Sequence, residues 1–236
     1  DFALSGTLIW RQNKDFIESV AAPGSFDPVM GIDSDTRALV PLFNEVDTNT
    51  TTYLLTNPDE LERKYAGIML TATKRFSKRW QMLASYVRSH ATGNIDNIAF
   101  SFSSLLGSNY GPGPFLDSPN SLYNGLGRLT NDLKHELTLQ GQYVIPKIEV
   151  SLSADYRYVS GQRYTPIATS REYFVPGCDP MTVGDCASYN QGRVRYFAEE
   201  RGSRRLDALD VLNFRAEKFF SLNGGTRLGI FADAFN

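Results

Sequence analysis

Residues 132–160, DLKHELTLQGQYVIPKIEVSLSADYRYVS, alternate apolar and polar side chains over almost their whole length. Before Pro146, the residues Leu133, His135, Leu137, Leu139, Gly141, Tyr143 and Ile145 take every second place, with Lys134, Glu136, Thr138, Gln140 and Gln142 between them. After it, Ile148, Val150, Leu152, Ala154, Tyr156 and Tyr158 form the apolar set, and Glu149, Ser151, Ser153, Asp155 and Arg157 the polar one. A period of two belongs to a strand, because an amphipathic helix repeats every 3.6 residues or so. The stretch reads as one long β-hairpin. A four-residue connection at 145–148, with Pro146 second, suits a type I turn. It places Glu136 opposite Arg157, Leu137 opposite Tyr156, Leu139 opposite Ala154 and Tyr143 opposite Val150. A slip of one residue would carry charge onto the apolar face, so the pattern resists it.

Arms of roughly 12 to 14 residues, tilted near 45°, rise about 28 to 33 Å. The hydrocarbon core of a bilayer is about 30 Å thick. An ordinary globular strand has only about five or six residues. Long strands of this alternation, with Tyr143, Tyr156 and Tyr158 toward their ends, are what a transmembrane β-barrel requires: lipid demands apolar side chains on one face and a wet interior accepts polar ones on the other. A half-buried sheet in a soluble sandwich carries the same alternation. No stretch approaches 18 consecutive apolar residues, so no transmembrane helix is expected, which leaves a barrel open. The net charge is −2 and the cations are scattered, so nucleic acid is not an expected partner.

Two further hairpins follow from the same reasoning. Residues 62–76 and 80–90 pair around Ser77-Lys78-Arg79, setting Ala72 opposite Ala84 and Phe76 opposite Trp80. An aromatic pair beside Lys and Arg at a hairpin tip suits a membrane interface, and an ordinary cross-strand pair with a solvated turn has the same appearance. Residues 206–222 and 226–236 pair around Asn223-Gly224-Gly225, where glycine supplies positive φ. Phe220 then faces Leu228, Ala216 faces Ala232 and Arg215 faces Asp233. The start of the chain, to about residue 20, reads as one more long strand with a bulge near Asn13.

Between these strands lie long segments without sustained period, at 21–51, 91–131 and 161–205, all read as loop. Asp33 and Asp35 lack the glycine and closing glutamate of a calcium loop and read as solvated residues. Cys178 and Cys186 are the only cysteines, with seven residues between them. They read as an intraloop disulfide, which implies an oxidising compartment. The connections alternate between about three or four residues and about 30 to 45, so short turns gather at one end of the sheet and long loops at the other. Outer-membrane barrels have this asymmetry, with short periplasmic turns and long extracellular loops.

The wording of these strands resembles that of one family. RKYAGIMLTATKRFSKRWQMLASYVRSHATG, RYVSGQRYTP and the ending RRLDALDVLNFRAEKFFSL…LGIFADAFN are similar to segments of the Oar-like TonB-dependent outer-membrane receptors. The resemblance implies a barrel of about 22 strands, plugged by an N-terminal domain, that moves a bound ligand inward with energy delivered through TonB. It implies a bacterial outer-membrane location and a ligand of siderophore, peptide or carbohydrate class. On that alignment residues 1–236 are the C-terminal part of one barrel domain, its fifteenth to twenty-first strands. The plug, the TonB-contacting segment and the last strand would lie outside the chain, because open edges cannot stand in lipid.

The fold class expected is therefore all-β, an antiparallel up-and-down barrel segment of about seven long strands. Its expected site residues are the disulfide Cys178–Cys186, the lumen pairs Glu136–Arg157 and Arg215–Asp233, and the interfacial aromatics Phe76, Trp80, Tyr143, Tyr156 and Tyr158. No cofactor, metal or catalytic group is expected. The only histidines, His90 and His135, give little material for a Ser-His-Asp arrangement, and Glu136 and Asp155 read as ion-pair partners of Arg157. A passive pore or a structural surface barrel is the alternative to a receptor.

Overall fold

A computed structural model describes residues 1–95, 118–222 and 226–236. In chain order the strands are β1 (Phe2–Asn13), β2 (Glu18–Ala21), β3 (Phe26–Asp33), β4 (Leu39–Glu45), β5 (Tyr53–Thr56), β6 (Arg63–Ser77), β7 (Trp80–Gly93), β8 (Gly127–Arg128), β9 (His135–Ile145), β10 (Val150–Val159), β11 (Arg163–Tyr164), β12 (Ile167–Tyr173), β13 (Ala187–Ser188), β14 (Val194–Phe197), β15 (Arg204–Arg205), β16 (Leu209–Ser221) and β17 (Arg227–Ala234). One 3₁₀ turn spans Pro119–Leu122. The protein is all-β with antiparallel sheets. Seven long strands form one sheet in the order β1-β6-β7-β9-β10-β16-β17, and β8 adds to the end of β7.

Each hairpin expected from the sequence forms, and the turns decide the registers. In β6–β7, Ala72 faces Ala84 and Lys74 faces Met82, but the register then shifts and Ser77, not Phe76, faces Trp80. The turn is only Lys78 and Arg79, with φ of 48° and 72°. Two consecutive positive φ values match the twist of a hairpin, and the shift absorbs the extra residue. Trp80 takes Lys74 instead of Phe76: the ammonium lies 4.1 Å from the ring centroid and donates to the carbonyls of Ser77 at 3.0 Å and Trp80 at 3.1 Å.

The central hairpin keeps its faces and changes its register by two. Pairing stops at Ile145 and Val150, leaving 146–149 as the connection, closed by Glu149 N–H donating to the Ile145 carbonyl at 3.0 Å. Leu137 consequently faces Tyr158, Leu139 faces Tyr156 and Tyr143 faces Leu152. The expected Glu136–Arg157 pair is not opposed: Glu136 faces Val159 and Arg157 faces Thr138. Positive φ at Lys147 and Glu149 makes the wider turn. In β16–β17, Arg215 faces Asp233, Ala216 faces Ala232 and Phe220 faces Leu228; the Asn223-Gly224-Gly225 turn lies outside the described residues.

The long connections depart most from expectation. The first strand ends at Asn13, and residues 18–21 leave it to pair with β5. The segments read as loop carry a second sheet, β13-β12-β3-β4 with β14 also on β12, and the small pair β11-β15. Its buried cluster is Val40, Leu42, Tyr189, Val194 and Tyr196, with Val29, Tyr123, Ala168 and Tyr173 packed against it. The apolar core thus lies in a cap at the long-loop end of the long sheet.

The register of β9–β10 is open to a direct check. With Cys178 and Cys186 left in place, the pair Leu139→Cys and Tyr156→Cys should cross-link on mild oxidation, because opposed Cβ atoms lie about 4.5–5.5 Å apart. The pair Leu139→Cys and Ala154→Cys, diagonal at about 7–8 Å, should not. Mass spectrometry of peptides reads both.

Candidate functional site

Strand parity sorts the long sheet into two chemically different surfaces. One carries Leu4, Leu8 and Trp10 of β1, Ile68 and Leu70 of β6, Leu137 and Leu139 of β9, Leu152 and Tyr156 of β10, and Leu212 and Phe214 of β16, in cross-strand rows such as Leu4-Ala72-Ala84-Leu139-Tyr156-Leu212. The other carries rows such as Ser5-Thr71-Ser85-Thr138-Arg157 and Gln81-Gln142-Ser153-Arg215-Asp233. Gln81 donates to Gln142 at 2.7 Å and Gln142 to Ser151 at 2.7 Å. Arg215 grips Asp233 with two bonds, at 2.6 and 2.8 Å, and lies over the Phe231 ring at 4.7 Å. Leu83, Phe219 and Phe231 interrupt this polar surface.

The apolar surface is uncovered: Leu4 is 74%, Leu8 82% and Trp10 73% exposed, with Leu139, Phe214 and Ile230 also exposed. Aromatic rings sit on it at two levels. Trp80 and Tyr143 are cross-strand neighbours at the short-turn end, where Phe76 is also exposed. Tyr156 and Tyr158 sit toward the long-loop end, and the Tyr156 hydroxyl donates to Asp210 at 2.6 Å.

The cap joins all three long connections. Asn120 of the second donates to the Phe43 carbonyl at 3.0 Å and accepts from the Phe43 amide at 2.8 Å in the first. Strand β12 of the third pairs with β3 of the first. At the joint with the long sheet, Asp132 is 1% exposed. Its carboxylate accepts from the Ala91 amide at 3.0 Å, from Arg163 at 3.2 Å and from Arg205 at 3.1 Å. Burial, and then the nearby Arg163, pull the Arg205 guanidinium below its ordinary value, and Asp132 opposes them.

Asp33, read as solvated, is buried. Its carboxylate accepts from the Thr36 and Asp35 amides at 2.7 and 3.1 Å, from the Thr36 hydroxyl at 2.8 Å and from the Tyr196 hydroxyl at 2.5 Å. Burial pushes Asp33 up, but these donors outweigh it and hold the group below the usual carboxylate value. Burial pushes the Tyr189 hydroxyl up to about 12, so it stays protonated beside Ser170 at 3.1 Å. Pro41 concealed the strand that frames this cluster, since proline within a run argues against a strand. It is accommodated because β4 is an edge strand.

Cys178 and Cys186 are joined in a disulfide. The small loop they close is tied to the cap by Glu172, which accepts from the Gly184 amide at 2.6 Å, and by Arg37, which donates to the Pro180 carbonyl at 2.7 Å and pairs with Glu172 at 3.0 Å. Met181 and Val183 project from this anchored loop. The two histidines lie apart: His135 Nδ1 meets the Tyr86 hydroxyl at 2.7 Å, and His90 Nε2 meets Arg128 at 3.0 Å. Among the described residues no cluster of three or more His, Cys, Asp or Glu is placed to hold a metal ion.

Asp33 gives the cap a pH dependence of defined sign. Its folded pKa lies below the ordinary 3.8, so its stabilisation is present at neutral pH and is lost as pH falls below that value. Amide-exchange protection of β3, β12 and β14 should drop in that range in the native protein. In Asp33→Ala the protection should be weaker at neutral pH by about 1–3 kcal/mol, with the acid-dependent step removed.

Comparison with known proteins finds no matching family, no matching characterised protein and no matching solved structure.

Proposed function

We propose that the long sheet is part of the wall of an outer-membrane β-barrel, and that the protein is a receptor and transporter whose cap faces the exterior and binds the ligand. The observation that carries this reading is the uncovered apolar surface across the seven long strands. A soluble sandwich would bury such a surface against a second sheet, whereas the second sheet here packs its own core in the cap. In lipid the same surface is satisfied.

Three further features support it. The polar rows on the opposite face suit a wet lumen. Cations border the apolar band at both ends, with Lys74 and Lys218 toward the short turns and Arg88 and Arg128 toward the cap; such side chains settle at head-group depth. The two edge strands, β1 and β17, need partners to close a barrel. Active, TonB-dependent uptake is the finer part of the proposal and rests on the resemblance of the strand sequences to the Oar-like receptors. In that reading the Arg215–Asp233 pair lines the lumen, Trp80 and Tyr143 mark the short-turn interface and Tyr158 the cap-side one, while Tyr156, opposite Leu139, lies deeper in the apolar band than expected of an interfacial aromatic.

The test uses the natural full-length protein in its host. It should fractionate with the outer membrane and migrate differently on electrophoresis before and after heating. Uptake of siderophore, peptide or oligosaccharide should stop when TonB is deleted. Uptake that persists without TonB would replace the transporter with a passive pore. For the wall itself, Leu139→Arg should destabilise the vesicle-inserted barrel by about 2–4 kcal/mol, and Gln140→Arg, one residue along and facing the lumen, by far less; urea unfolding followed by tryptophan fluorescence measures both.

A further inference from the structure

At the end of the long sheet away from the cap, the border of the apolar surface gathers cations that no acid neutralises. Strand pairing puts two of them on the apolar side: Lys74 lies opposite Phe2 and Met82, and Lys218 opposite Val150 and Ile230. Lys78, Arg79 and Lys147 are exposed at positive φ in two tight turns. These turns are neighbours, because β7 pairs with β9 and the Arg79 carbonyl accepts from the Val144 amide at 2.8 Å. Trp80 and Tyr143, both exposed, face each other beside them on the apolar side. Arg75, next after Lys74, and Arg227, opposite Ser221, alternate onto the polar side, as does Glu217 opposite Ser151, and they take no part. Among the described residues none of the five cations makes an ion pair, and neither does Glu149, the acid that shares a turn with Lys147. The whole chain carries a net charge of −2, so this positive border is a local accumulation and not a reflection of composition.

We propose that this border binds the head group of an anionic phospholipid, of the phosphatidylglycerol class, in the leaflet that meets the short turns. The proposal rests on the barrel reading above. Charge complementarity selects an anion, because cations held near a bilayer surface each attract anionic lipid and neighbouring ones act together. Two kinds of cation are present. Lys74 is fixed, its ammonium donating to the Ser77 and Trp80 carbonyls and lying over the Trp80 ring, so it adds charge at a set depth. Lys78, Arg79 and Lys147 stand exposed in the turns, where they can donate to a phosphate. The apolar continuation selects a lipid over a free anion. Trp80 and Tyr143 are residue types that settle at head-group depth, and Leu152, opposite Tyr143, begins the apolar band behind them. Nothing in a free phosphate would cover those side chains. Acyl chains would do so while the head group stayed within reach of the turns.

The experiment inserts the full-length protein into phosphatidylcholine vesicles containing brominated phosphatidylglycerol or, at the same fraction, brominated phosphatidylcholine. Bromine quenches tryptophan on contact, and the signal of Trp80 is isolated as the difference from Trp80→Phe. Trp80 should be quenched more by the brominated phosphatidylglycerol. That preference should fall by roughly fivefold or more in Lys78→Gln/Arg79→Gln/Lys147→Gln and survive in Lys78→Arg/Lys147→Arg. It should also weaken in molar salt, which screens exposed charge. Equal quenching by the two lipids would overturn the proposal, as would a preference unchanged in the glutamine variant. Insertion itself is read separately by protease protection and heat-modified migration. A protein that enters no vesicle would overturn the barrel reading, and one that inserts without lipid preference overturns only this inference. Binding to isolated peptidoglycan that is lost in the glutamine variant, with no lipid preference, would assign the cations to that polymer and also overturn it.

Discussion

The pleat commits every residue of a long strand to one of two surfaces, and among the described residues no second sheet packs on either surface of the long sheet, whose polar side is covered only where Ser89 and Ala91 meet the cap. Apolar rows on one side and polar rows on the other therefore need two different solvents, and the uncovered leucines and aromatics are unfavourable in water alone. In the proposed reading a bilayer outside and an aqueous lumen inside would meet both needs at once. The edges impose the same logic, because β1 and β17 carry backbone groups that must be paired wherever water is excluded.

The cap obeys different rules. Its stability comes from a conventional apolar cluster around Leu42 and Tyr196, gathered from three connections far apart in sequence. Asp132 joins this body to the long sheet by accepting from the β7 backbone and from two arginines of the third connection. Removing that carboxylate would leave two half-buried guanidiniums without their anion, a larger loss than removing both signs together. On the proposed reading, loops held as one anchored body would lose less entropy when a ligand arrives than loops that must first be ordered. The disulfide, Arg37 and Glu172 extend that order to the tip carrying Met181 and Val183.

Small turns govern details that the alternation leaves free. Parity forbids a slip of one residue in β9–β10, but a slip of two preserves both faces, so only the backbone at 146–149 chooses between registers. Positive φ at Lys147 and Glu149 chose the wider connection and separated Glu136 from Arg157. At Lys78-Arg79 a two-residue turn displaced Phe76 and gave Trp80 to Lys74. In β16–β17, where the apolar pattern runs close to the turn, Arg215 meets Asp233 directly.

The sequence by itself determined which residues share a face of each long strand, which strands pair, where short and long connections fall, and which two cysteines meet. Each of these follows from local pattern: a period of two, chain neighbours joined by tight turns, and a single possible pair of thiols. Only the tertiary structure decided that the long connections build a sheet and core of their own. Val40 and Leu42 are far in sequence from Tyr189 and Tyr196, and the strands around them are short, with Pro28 in β3 and Pro41 in β4. No local period can announce a core assembled across connections, because its energy appears only when all three are present together. The same holds for Asp33, which reads as solvated in sequence, and for Asp132, which no local pattern singles out; both are buried because donors from other segments converge on them.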